Sequence, residues 1–257
     1  MNKNIIEYYD KIAGEYEGLL DNLYLKLYDR ITWKNVQPFL PSTKPARILD
    51  LAGGTGRWSR RISGEGSEVL LLDLSQKMLS EGRARGRSQG LRLPIDFVRA
   101  DAMQIPCKDC SFDLVLCEHA LLLVDNITKV VLEMHRVARR EGVVILTAQS
   151  KYPRALIALR DSPRDAIEIL RDKPDNTRAK MLSVNGFLSI IRESGLVVEK
   201  VVGKGFSALT MSEKKLLEEP YTPDEFSALA EFEEMMSALP EAVHLAVHIH
   251  VIARKPP

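Results

Sequence analysis

At 257 residues, 45% of them apolar and 28% charged, the chain is long enough to bury a full core and reads as one globular domain. Lysine plus arginine (36) balances aspartate plus glutamate (35), so a formal net charge of +1 makes no electrostatic case for nucleic acid or an anionic membrane as partner. No apolar run reaches the roughly 18 residues that span a bilayer and the N-terminus is polar and acidic, unlike a signal peptide, so a cytoplasmic location is expected.

The first segment carries Tyr8, Tyr9, Asp10, Ala13 and Tyr16, then Leu19, Leu20, Leu23, Leu27 and Ile31, whose spacing predicts helices ahead of a sheet. Pro38, Pro41 and Pro45 end them. Ile48-Leu49-Asp50-Leu51 is an apolar run with one acid, Ala52-Gly53-Gly54-Thr55-Gly56 is a tight loop, and Trp58-Ser59-Arg60-Arg61-Ile62 returns to helical spacing. Gly53, Gly54 and Gly56 lack Cβ atoms, so a ligand can approach the backbone while the next helix offers unpaired N–H groups. Something anionic or zwitterionic fits such a cradle. No Gly-Lys-Ser/Thr follows, which argues against ATP or GTP hydrolysis. A dinucleotide fingerprint needs glycine where Ser59 stands. Asp50 would repel a pyrophosphate and attract an ammonium or sulfonium group.

Glu68 to Asp73 predicts a buried parallel strand, ending in an acid where a mononucleotide fold binds both ribose hydroxyls; a helix N-cap is the alternative role for Asp73. A third strand is expected from Ile95 to Ala102, with its own acid at Asp101, and a fourth from Asp113 to about Cys117. Glu118, His119 and Ala120 then fall at the expected switch point of the sheet, which makes His119 a candidate catalytic group as well as a candidate rim residue. Cys107, Cys110 and Cys117 are an odd set of reduced thiols. With His119 they could be drawn as a zinc site, but a second C-x-x-C is missing and Cys117 falls in an apolar strand, so no metal is expected. Leu132 and Val137 mark a helix, Arg140-Glu141-Gly142 a turn, and Val143 to Leu146 a fifth strand. Residues 151–182 read as an insertion or lid. Phe187, Ile190 and Ile191 precede a strand over Leu196 to Val202, and residues 204–242 show helical patterns around Leu216, Phe226, Leu229 and Phe232. A last strand is expected from Val243 to Ala253, with His244, His248 and His250 on one face in a structural role.

These residues resemble the class I S-adenosylmethionine (SAM) dependent methyltransferases, and within them the small-molecule enzymes of the ubiquinone/menaquinone type. Asp50-Leu51-Ala52-Gly53-Gly54-Thr55-Gly56 is similar to that family's Asp-Leu-Gly-Cys-Gly-Thr-Gly, with Ala52 at the first glycine and Gly53 at the cysteine. Tyr9-Asp10-x-x-Ala13-x-x-Tyr16, Asp73-Leu74-Ser75-x-x-Met78-Leu79, Ala100-Asp101-Ala102 and Ser111-Phe112-Asp113-Leu114-Val115 follow the family's patterns in order, and Arg140-Glu141-Gly142 stands where it has Leu-Lys-Pro-Gly-Gly.

The resemblance implies an α/β fold: a doubly wound, mostly parallel seven-stranded Rossmann-like sheet. A helical cap over 1–45, a SAM-binding core over 46–150, a lid over 151–182 and a closing part over 183–257, itself interrupted by a helical insertion at 204–242, would make one domain. It implies SAM as cofactor, with Tyr16 closing over it, Ala52, Gly53, Gly54 and Gly56 leaving room for its amino-acid end, and Asp73 accepting from its ribose. Leu74 and Met78 would pack on the adenine, Asp101 would accept from its N6 amine beside the Ala102 N–H, and Cys117 would adjoin the cofactor at the end of the fourth strand. His119 would face the methyl group, which passes in line to a nitrogen, oxygen, sulfur or carbon nucleophile of a small molecule without a covalent enzyme intermediate. A nicotinamide-dependent dehydrogenase and a SAM-binding regulator without catalysis are the alternatives. The methyl acceptor and the oligomeric state are not legible at this level.

Overall fold

The computed structural model describes residues 3–40, 46–88, 95–171 and 181–257. Three helices come first: α1 (Lys3–Ile12), α2 (Tyr16–Leu19) and α3 (Leu23–Val36). Asn22 starts α3 by accepting from the Leu25 N–H at 2.9 Å, and Leu23, Leu27 and Ile31 recur along its buried side. Pro38 stands in the 3-10 turn that ends the run, whereas Pro41 and Pro45 lie outside the described residues, as do residues 172–180 of the expected lid.

The alternating part follows as β1 (Arg47–Leu51), α4 (Arg57–Gly64), β2 (Glu68–Asp73), α5 (Gln76–Ser88), β3 (Ile95–Arg99), β4 (Phe112–Cys117), α6 (Ile127–Val137) and β5 (Ala138–Ser150). It continues through α7 (Lys151–Ala158), α8 (Pro163–Arg171), β6 (Met181–Leu182), α9 (Val184–Glu193), β7 (Val197–Lys204), α10 (Glu213–Leu217), α11 (Pro223–Ser237) and β8 (His248–Arg254). The strands lie in the order β3-β2-β1-β4-β5-β8-β7, and β8 alone runs antiparallel, against both β5 and β7. This is the expected seven-stranded sheet, with β6 as a two-residue addition beside the end of β5.

Strand alternation divides the core between the two faces of the sheet. Leu49, Leu51, Val115, Val144 and Leu146 point to one face with Met134 of α6 and Phe187 and Ile191 of α9. Ile48, Leu114, Leu116 and Ile145 point to the other with Val36 of α3 and Trp58 and Ile62 of α4. Trp33 and Trp58 stack with ring centroids 6.4 Å apart, and Arg61 lies 3.9 Å above Trp33, which fixes α3 on α4.

Several boundaries differ from those expected: β3 ends at Arg99 rather than Ala102 and β7 runs on to Lys204, and two larger differences have a structural cause. Arg140-Glu141-Gly142 is not a turn before a strand but a bulge inside β5. Glu141 takes φ of 59°, the register to β4 slips between Phe112 and Leu114, and Glu141 and Gly142 keep ladder bonds to Lys255. The last strand begins at His248, because Val243, His244 and Leu245 belong to a 3-10 turn (Pro240–Leu245). Its neighbour β7 stops at Lys204, where Gly205 turns the chain away at φ 81°, so on that side residues before His248 have no strand to pair with.

Candidate functional site

The carboxyl ends of β1, β2 and β4 open on a cleft of about 930 Å³, counting its mouth. Of the residues singled out from sequence, Tyr16, Ala52, Gly54, Asp73, Leu74, Met78, Asp101, Ala102 and His119 line it; Asp50, Gly53, Gly56 and Cys117 do not. Ile5 and Ile6 of α1 and Leu123 and Val124 beyond β4, which were not singled out from sequence, also line it, as do Tyr9 of the N-terminal motif and Glu118 of the expected switch point.

Asp73 is the polar anchor of the cleft. One carboxylate oxygen accepts from the Gly54 N–H at 2.9 Å and the other from the Ser75 N–H at 2.8 Å, so it ties the glycine loop to the start of α5. Each oxygen keeps a lone pair for a ligand, and two are what a vicinal diol needs. Burial raises the proton affinity of Asp73, and the backbone donors oppose that shift. The loop itself is left-handed at Ala52 (φ 56°), Gly54 (φ 58°) and Gly56 (φ 80°). At Gly54 a Cβ would point towards Tyr16, 3.8 Å from its ring, into the space a ligand takes.

Asp50 does not sit beside the ligand as its charge suggested. Alternation places it on the α4 face of β1 with Ile48, where it is 1% exposed and accepts from the Ser59 N–H at 3.1 Å and from the Ser59 hydroxyl at 2.6 Å. Burial pushes its pKa up to about 6 in spite of those donors. Its work is to hold the first turn of α4. Gly53 leaves room for that carboxyl group, since a Cβ there would fall 2.7 Å from it. Gly56 is the left-handed residue before α4. Cys117 is packed into the sheet core, and burial pushes its thiol up.

The N-terminal helices close the other wall. Glu17 accepts from the Thr55 hydroxyl at 2.8 Å and from the Arg60 guanidinium at 2.5 Å, and Asp10 accepts from the Ser75 hydroxyl. Met103 N–H bonds Asp101 at 2.9 Å, turning that side chain back over its own loop at the cleft edge.

Beyond β4 the chain reaches His119 in a left-handed conformation (φ 60°). Protein surrounds the imidazole, yet more than a third of its surface faces the cleft; burial and the nearby Lys204 charge bring its pKa down to about 4. Glu118, its neighbour, is spent internally. It accepts from Tyr28 (2.7 Å), Thr147 (2.8 Å) and Lys204 (2.9 Å), and lies 3.0 Å from His250 Nδ1. Burial alone would raise this carboxyl group, but Lys204 and His250 hold it well below the usual range, while burial lowers Lys204 to about 8. Sequence reasoning missed this cluster because its members come from α3, β4, β5, β7 and β8, and no local spacing connects them. Among the described residues no three histidine, cysteine, aspartate or glutamate side chains form a metal site, and the three cysteines are free thiols.

A methyltransferase-domain family matches residues 49–146. The ubiquinone/menaquinone biosynthesis C-methyltransferase UbiE of Coxiella burnetii is 33% identical over 147 residues, which is 56% of this chain and 58% of that protein. The chain therefore spans under two thirds of that relative's length. A SAM-dependent methyltransferase from Mesorhizobium loti has a similar fold at 22% identity, with a TM-score of 0.58 over 87% of this chain and 97% of its own. A putative methyltransferase from Haloferax volcanii, solved with its Trm112 activator, aligns over 97% of this chain and 98% of its own at 18% identity and a TM-score of 0.61. Residues 49–146 thus match a methyltransferase-domain family, and the chain as a whole shares the fold of a SAM-dependent methyltransferase.

Proposed function

We propose that the protein moves the methyl group of SAM to a nucleophilic atom of a small molecule held at the His119 end of the cleft. The observation that carries this reading is the pairing, across one cleft, of a two-oxygen acceptor at Asp73 with a neutral imidazole at His119. When bound, SAM supplies an electrophilic methyl group on a sulfonium.

Asp73 accepts from the ribose hydroxyls, Leu74 and Met78 cover the adenine, and Asp101 with the Ala102 N–H reads its polar edge. Ala52 and Gly54 leave the space for the amino-acid end. Tyr16, with Ile5, Ile6 and Tyr9, excludes water from the reacting atoms, and alignment of donor and acceptor supplies most of the rate. His119, neutral at pH 7, accepts a hydrogen bond or a proton from the incoming nucleophile. Residues 151–182 and 204–242 act as covers that choose the acceptor. The C-methyltransferase relatives favour a carbon nucleophile. A cytoplasmic location belongs to the same reading; no described helix is long and apolar enough to cross a membrane.

A nicotinamide ligand is disfavoured because Ser59 replaces the third glycine and its hydroxyl is engaged by Asp50. Calorimetry should show binding of SAM and S-adenosylhomocysteine (SAH) and none of NAD or NADP. Label transferred from methyl-tritiated SAM into a metabolite extract then separates an enzyme from a SAM-binding regulator. Tight nicotinamide binding without a response to SAM would overturn the reading.

A further inference from the structure

His119 is held in a conformation that its own chain does not favour. It lines the cleft with more than a third of its surface open, two residues beyond the end of β4, and its backbone is left-handed at φ 60°, a region where a residue with a Cβ is strained. An imidazole on such a turn keeps one direction only if its surroundings impose it. Rings do so here. The Tyr28 centroid lies 5.0 Å from that of His119 with the planes at 60°, and His248 lies 4.9 Å from His119 and 5.1 Å from Tyr28. The three rings close a triangle at separations typical of packed aromatic pairs. Tyr28 and His248 are buried and do not line the cleft, so they hold the imidazole from behind.

Tyr28 is the corner of that triangle that is itself pinned. Its hydroxyl donates to Glu118 Oε2 at 2.7 Å, and the Lys204 ammonium stands 3.8 Å from its ring centroid while donating to the same oxygen at 2.9 Å. The Thr32 hydroxyl, which donates to the Tyr28 carbonyl at 2.9 Å, accepts from that ammonium at 2.8 Å, so the backbone of α3 is tied to the same point. A ring fixed at its hydroxyl and by a cation against its ring cannot tilt or slide without giving up a charge-assisted contact. Glu118 immediately precedes His119. The hydroxyl therefore fixes the chain where it enters the left-handed residue, and the ring fixes the side chain that leaves it. A phenylalanine would fill the same space, but only the hydroxyl ties that packing to the backbone of His119.

We infer that Tyr28 is a positioning residue for His119, aiming the imidazole at the methyl end of the cleft through its hydroxyl on Glu118 and its ring against the imidazole. This rests on the methyl-transfer reading for what His119 faces, and adds to it the group that holds His119 in place.

Nuclear Overhauser effects between the His119 ring protons and the methyl group of bound SAM, carbon-13 labelled at that methyl, provide the test, with the His119 signals identified by their loss in His119→Gln. In Tyr28→Leu the effect should fall at least about threefold, and in Tyr28→Phe, which keeps the ring and loses the hydroxyl, it should fall by less, while calorimetric SAM affinity stays within about threefold of wild type in both. Overhauser effects between the stacked Trp33 and Trp58 serve as the internal standard, since a general loosening of the core would weaken them too. An effect in Tyr28→Phe as strong as in wild type would overturn the positioning role, even if Tyr28→Leu fails to fold, and so would an equal fall of the imidazole contact and the standard. A wild-type protein that does not bind SAM, or binds it with no His119 contact to the methyl, would remove the methyl-transfer reading instead. The Hα–Hβ couplings of His119 in the ligand-free protein then decide on Tyr28 alone: a single side-chain rotamer that becomes averaged in the variants keeps the positioning role, and an unchanged rotamer removes it.

Discussion

Asp73 joins two backbone donors to one ligand position, so its loss acts on the cofactor more than on the fold. Asp73→Ala should weaken SAH binding by about 1.5–3 kcal/mol in calorimetry, the range for hydrogen bonds to a charged acceptor. Its melting temperature should stay close to that of the wild type. Gly54→Val should abolish binding for a different reason. The residue sits at φ 58°, where a β-branched side chain is strained, and its Cβ would enter the ligand space. SAH titration of the purified variant checks it, and retained affinity would show that the loop is not the cradle. For His119, a pKa brought down to about 4 means that acidification from about pH 8 to 5.5 leaves the imidazole neutral. The rate profiles of wild type and His119→Ala should therefore run parallel over that window. An inflection near 6.5 that disappears with the histidine would contradict the depressed value. Asp73 and Gly54 were legible in the sequence because one ends a strand and the other follows a strand by a short loop. Asp50 was misread, since its charge was visible but the face to which β1 turns it was not.

At the level of elements, the five-member cluster around Glu118 binds α3 to four strands. Lys204 touches Thr32, Glu118 and Thr147, and stands 3.8 Å from the Tyr28 ring centroid. Removing the ammonium leaves a carboxylate in the interior with no countercharge, so Lys204→Met should lower unfolding free energy by about 3–5 kcal/mol in urea titrations. A Lys204→Met, Glu118→Gln double variant should recover part of that loss, because the uncompensated charge goes with it. Such long-range pairs leave no periodic trace, which is why the strands were readable and the bolt through them was not. The bulge at Glu141 was missed for a related reason. Arg-Glu-Gly is ordinary turn chemistry, and only the ladder bonds to Lys255 keep it in the sheet.

For the molecule as a whole, two imidazoles are held neutral by burial: His248 and His250 both lie below their ordinary proton affinity. In the unfolded chain they take a proton near pH 6.5, in the folded one only at lower pH. Their contribution is thus complete above about pH 6.5 and is lost as the pH falls towards the folded values. Asp29 and Asp50, raised to about 6, act with the opposite sign, but only below that value. The urea midpoint should accordingly fall as the pH is lowered from about 8 to 6, and by less in His248→Phe. The doubly wound, mostly parallel sheet was legible from apolar runs and from the family motifs, because these depend on local pattern, whereas the strand order and the antiparallel β8 came only with the structure. The cleft wall formed by the N-terminal helices was legible at Tyr9 and Tyr16 through their motif, but not at Ile5 and Ile6, which read like any amphipathic helix. Polar contacts tie that wall down: Glu17 to Thr55, Arg60 and Arg85, Asp10 to Ser75 and the Lys77 N–H, and the Gly14 carbonyl to Arg85. Loop and wall cannot separate without breaking a carboxylate–guanidinium bond, so under the methyl-transfer reading the bond that shelters the reacting atoms would also time the departure of spent cofactor. Weakening that latch in Glu17→Gln should speed SAH dissociation in stopped-flow more than it weakens equilibrium affinity, turning a slow-releasing pocket into a leaky one.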